Sequence, residues 1–107
     1  MVKYEIGEFV LCKDEYFDSI MRIDDTQIKK CHGELIPRRR YHGLLATIKE
    51  VDGEMSIDGC TTVINVREGS LSRIDPKSKL AELIEPAKNA LEERYEDYRQ
   101  CLSEQAV

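Results

Sequence analysis

The chain has 107 residues, 35% charged and 41% hydrophobic, with no Trp and a formal net charge of −5. That length supports one modest core and not two, and 16 basic against 21 acidic residues is too even a balance for a wholly disordered chain. A net-negative domain argues against a nucleic-acid binder working through bulk charge, and no run nears the ~18 apolar residues of a membrane-spanning helix.

Residues 1–5 lack the apolar stretch of a secretory signal, so a cytoplasmic protein with no membrane partner is expected. After a turn at Gly7, residues 8–12 read as a first strand. Residues 16–23 follow as a second, ending in the polar turn 24–27, with 26–31 as its hairpin partner. Residues 44–51 alternate loosely. Asp52-Gly53 is the strongest hairpin signal in the chain, a dipeptide suited to a type I′ turn. Residues 54–57 would return from it, Asp58-Gly59 would turn again, and 60–66 form a β-branched run. A turn at 68–70 leads to a last strand at 71–74. Six to eight short strands with brief connections suit a small closed sheet.

The composition switches once, near residue 75, from glycine-punctuated to glycine-free and rich in helix formers. Asp75 is a good N-cap and Pro76 suits the first helical position. Leu80, Ile84, Ala87, Leu91, Tyr95, Tyr98 and Leu102 recur every three or four residues and draw one apolar stripe. Pro86 interrupts it, and a proline in a helix interior costs ~3 kcal/mol, so a kink or break is expected there. The fold expected is therefore α+β, a single domain over 1–107. It comprises a small antiparallel β-barrel or bent sheet, SH3-like or OB-like, over 1–74 and a C-terminal amphipathic helix over 75–105. The stripe must bury against that body, a second copy or another protein.

Charge is unevenly spread. Residues 29–40 carry a local +4, whereas 1–28, 41–75 and 76–107 carry −4, −3 and −2. Arg38, Arg39 and Arg40 offer forked donors for phosphate or carboxylate, Lys29 and Lys30 add charge, and Tyr41 and His42 beside them offer rings for stacking. Against this, the arginines could pair with the chain's own carboxylates, and strand alternation would aim Arg39 away from Arg38 and Arg40.

Four cysteines, Cys12, Cys31, Cys60 and Cys101, invite a disulfide or zinc reading. A chain with this apolar content needs no staples, and Cys31, His32, His42 and Cys60 lack the close ligand pairs that zinc sites use. No phosphate-binding glycine loop or nucleophile motif is present. A thiol–imidazole pair of Cys31 or Cys60 with His42 is not demanded by spacing. No catalytic residue, metal or cofactor is expected. The function expected is a non-enzymatic protein-interaction module, a small acidic adaptor, regulator or inhibitor, phage-encoded ones included. It would dock on another protein or a second copy of itself through Leu80, Ile84, Leu91, Tyr95, Tyr98 and Leu102. Nucleic-acid or nucleotide binding through residues 29–41, by the cations, Tyr41 and His42, is the alternative.

Overall fold

A computed structural model describes residues 3–13 and 18–93. Five antiparallel strands form one sheet: β1 (Phe9–Lys13), β2 (Asp18–Lys29), β3 (Arg38–Val51), β4 (Glu54–Arg67) and β5 (Leu71–Arg73). Their order across the sheet is β4-β3-β2-β1-β5, and the sheet is not closed. A C-terminal helix, α1, follows, described over residues 84–93.

The strands are fewer and longer than the turn signals predict. Asp52 and Gly53 have φ of 53° and 80°, the paired positive values of a type I′ turn, and join two 14-residue strands as their dipeptide predicts. Asp58-Gly59 does not turn the chain. Between Ala46↔Cys60 and Ile48↔Ile57, β4 spends one residue more than β3, and Gly59, at φ 93°, absorbs the excess as a bulge. Asn65, at φ 57°, lies in a second bulge between Tyr41↔Val66 and Gly43↔Val63. The polar stretch 24–27 behaves alike. β2 runs straight through it, with a register shift between Ile23 and Asp25 rather than a hairpin. A glycine or a polar cluster marks a bulge as readily as a turn, and local sequence does not separate the two.

These bulges bend the sheet. From Arg67, the end of β4, to Leu71, which pairs with Cys12 of β1, the chain takes four steps, or about 14 Å fully extended. Edge to edge, a flat five-stranded sheet is about 19 Å wide. The sheet must therefore curl until its edges approach, and the 3₁₀ turn Glu68–Ser70 spans the gap.

Each face of the sheet carries a core. On the concave face, Val10, Met21, Ile23, Tyr41, Val66 and Leu71 gather around Tyr4, whose hydroxyl donates to the Leu71 carbonyl at 2.9 Å. The Tyr4 and Tyr41 rings meet edge to face, 5.6 Å between centroids. On the other face, the cross-strand pair Ile20↔Ala46 receives Leu83, Ala87 and Leu91. Ala87 and Leu91 belong to the helical stripe read in the sequence, whereas Leu83, in the 3₁₀ turn before α1, is a buried residue that reading passed over.

The tail begins differently from its sequence reading. Asp75 closes a turn, its Oδ1 accepting from the Lys77 N–H at 2.9 Å and its carbonyl from the Ser78 N–H at 3.0 Å. A 3₁₀ turn, Lys79–Leu83, precedes α1, which starts at residue 84. Pro86 thus falls in the first turn of α1, where its missing N–H would have no intrahelical acceptor anyway.

Candidate functional site: an arginine groove

The β2–β3 hairpin end gathers five of the chain's 16 basic residues, Lys29, Lys30, Arg38, Arg39 and Arg40. Lys29 pairs across the sheet with Arg38, and Ile28 with Arg39. Because β3 begins at Arg38, the three arginines alternate faces as strand geometry requires. They have three different fates.

Arg40 is buried at 2% exposure and ion-pairs with Glu34, which reaches back from the connecting loop. Glu34 Oε1 also accepts the Cys31 N–H at 2.9 Å, so one carboxylate locks the loop onto itself and onto β3. The Arg40 guanidinium, through its hydrogen bond, holds the Glu34 carboxyl below its ordinary range. Arg40 Nε is buried without a partner. Arg39 is half-buried and donates to Thr26 Oγ1 at 3.1 Å. Arg38 is exposed and, like Lys29 and Lys30, makes no ion pair among the described residues.

Tyr41 is buried and His42 half-buried, each tied by a hydrogen bond. Tyr41 is fully buried and donates its hydroxyl to Glu68 Oε2 at 3.0 Å. Burial and, next, that bond push the phenol's pKa up. His42 Nδ1 accepts the Asn65 N–H at 3.2 Å, and its Nε2 is buried without a partner. Neither ring forms an open stacking platform.

A groove of about 970 Å³ opens where β4 ends and β3 continues. Arg38, Arg39 and Arg40 line it from β3 and Arg67 from β4, with the loop Glu34–Ile36 and the turn 68–70 as walls. Sequence reading missed Arg67, which lies 27 positions beyond Arg40 and is brought level with it only by the register Arg40↔Arg67. Two like charges directly opposite repel. Glu34 neutralises Arg40, and Arg67 is left exposed without an ion pair among the described residues. Leu35 and Ile36, on the groove wall, are 92% and 56% exposed, and Ile28 on the same hairpin 66%. Sequence reading also passed over these. Their signal was an apolar pair inside the most basic segment of the chain.

The helix stripe is placed only in part. Leu91 is fully buried against the sheet, Leu80 packs on the same cluster, and Ile84 is half-buried. Tyr95, Tyr98 and Leu102 lie outside the described residues. Among the described residues no three His, Cys, Asp or Glu gather as metal ligands, so Cys31, His32, His42 and Cys60 do not converge. No described helix is long and apolar enough to cross a membrane.

No family model, no curated protein and no solved structure matches this chain.

Proposed function

We propose that the chain is a non-enzymatic protein-interaction module that takes an acidic segment of a partner protein into the arginine groove. One observation carries the reading: unpaired arginines stand beside exposed aliphatic side chains in one concavity. Arg38 and Arg67 supply forked donors that match carboxylates, and Leu35 and Ile36 supply apolar contact. Exposed apolar side chains flanked by cations suit an acidic segment that also carries apolar residues.

Nucleic-acid binding draws on the same cations but also needs open rings or groove-reading side chains. Burial of Tyr41 removes the ring that reading relied on. Docking through the helix stripe competes with the chain's own core at Leu91.

Fluorescence anisotropy with a labelled peptide of alternating glutamate and leucine tests the reading, with a single-stranded oligonucleotide as the competing probe. Reversal of both Arg38 and Arg67 to Glu is expected to weaken peptide binding on the order of tenfold. Lys49→Glu, on an exposed stretch of β3 that does not line the groove, is expected to leave it unchanged. Tighter binding of the oligonucleotide, or indifference to the reversals, overturns the proposal.

A further inference from the structure

Strand register decides which kind of acid suits the arginine groove. β3 and β4 pair Arg40 directly with Arg67, so the two side chains share one face of the sheet. Arg38, two residues before Arg40 on β3, projects to that face too. Arg38 and Arg67 are then diagonal neighbours, about 7–8 Å apart at the backbone, a separation that long side chains close. Arg40 adjoins both, buried and ion-paired with Glu34. Two exposed guanidiniums without ion pairs among the described residues thus flank one that is already neutralised.

The charge of the groove narrows the choice. Among the described residues its charged lining is four arginines, at 38, 39, 40 and 67, against two glutamates, at 34 and 68, for a net +2. Both carboxylates are engaged, Glu34 by Arg40 and Glu68 by the Tyr41 hydroxyl. Arg39, from the other face of β3, spends one N–H on Thr26. A carboxylate brings one negative charge and two oxygens, which a single arginine fork satisfies. The second fork and half of the charge stay unmatched. A phosphoryl group carries close to two negative charges at neutral pH and offers three terminal oxygens, enough to engage both forks.

We infer that the acidic segment is phosphorylated, and that the phosphoryl group of a modified side chain sits between Arg38 and Arg67 while an aliphatic neighbour packs on Leu35 and Ile36. The inference rests on the acidic-segment reading above and names the acid that the groove selects. Paired arginines are a recurrent means of holding a phosphorylated side chain, because planar forks match phosphate oxygens two at a time. At about 970 Å³ the groove has room for that side chain and its neighbours.

The test uses the alternating glutamate–leucine peptide in three forms, with phosphoserine, glutamate or serine at its central position. Each is titrated against the full chain by fluorescence anisotropy at neutral pH. The phosphoserine form is expected to bind roughly tenfold more tightly than the glutamate form. Arg38→Gln and Arg67→Gln, each at an exposed position and each checked for folding by circular dichroism, are expected to cut that preference to roughly threefold or less. Inorganic phosphate should displace the phosphoserine peptide only at roughly hundredfold higher concentration, because it forgoes the contacts with Leu35 and Ile36. Displacement by inorganic phosphate at concentrations equal to the peptide's would make free phosphate the ligand and overturn the inference. Equal binding of the phosphoserine and glutamate forms overturns it too, and leaves the acidic-segment reading standing. Binding of neither form overturns both. A phosphoserine preference that survives both substitutions puts the phosphoryl group elsewhere and also overturns the inference.

Discussion

Glu34 reaches from the β2–β3 loop to Arg40, a residue only 2% exposed, and this pair decides which of the chain's clustered arginines are available to a partner. A guanidinium cannot shed its proton at such a site, so the strand can carry Arg40 inward only with a carboxylate beside it. The single acidic residue of segment 29–40 supplies that carboxylate.

Removing it leaves an uncompensated charge. Glu34→Gln is expected to lower the melting temperature, with Glu34→Ala lowering it further because the Cys31 N–H also loses its acceptor. Thermal denaturation followed by circular dichroism checks this. A melting temperature unchanged in both variants would show that the pair contributes nothing to stability.

The pair also has a pH signature. The Glu34 carboxyl is held below its ordinary value in the folded state. Its stabilising contribution is therefore present above the ordinary carboxylate pKa and is lost as pH falls through the lowered one. Protection of the Cys31 amide, measured as exchange relative to its intrinsic rate, should fall in that acidic window, and Glu34→Gln should lack that pH step.

Tyr41 predicts the alkaline counterpart. Burial raises its pKa, so its contribution is full below the ordinary phenol value and declines as pH rises toward the raised one. Tyr41→Phe should flatten that alkaline decline while losing the Glu68 bond, worth about 1 kcal/mol at neutral pH. Denaturant melts at neutral and alkaline pH measure both.

Gly43 is required by close approach rather than by φ. An added Cβ would collide with the carbonyl of Arg22, a backbone group that cannot swing aside, at the point where β2 shifts register. Gly43→Ala is expected to cost about 3 kcal/mol or more. Gly69→Ala, where a Cβ meets open space, should cost well under that. Parallel urea titrations of the two variants check the contrast.

Leu91 separates a core helix from a free interface. Fully buried beside Ile20 and Ala46, it should lose about 2–5 kcal/mol on truncation to Ala. Leu91→Asp is expected to unfold the sheet as well as the helix. A variant that keeps its strand signal and changes only its sedimented mass would show instead that Leu91 belongs to a contact between molecules.

Local chemistry alone determined several features of this protein. Asp52-Gly53 dictates its hairpin because few other dipeptides accept two positive φ values in succession. The spacing of Ala87 and Leu91 draws the helix face that packs, because the helical period acts within a few residues. The switch to glycine-free sequence near residue 75 separates the strand-rich body from the tail. Composition and net charge, read segment by segment, located the one basic stretch. Tertiary structure alone decided the rest. Whether Gly59 and the 24–27 stretch turn the chain or only bulge it depends on the strand alongside, which no short window contains. Inward burial of Arg40 and Tyr41, and outward exposure of Arg38, follow from where a loop carboxylate and the turn at Glu68 arrive. Arg67 enters the groove through register and curvature. The net charge of −5 is the average of one basic concavity and an acidic remainder, and only folding brings Arg67 to that concavity and withdraws Arg40 from it.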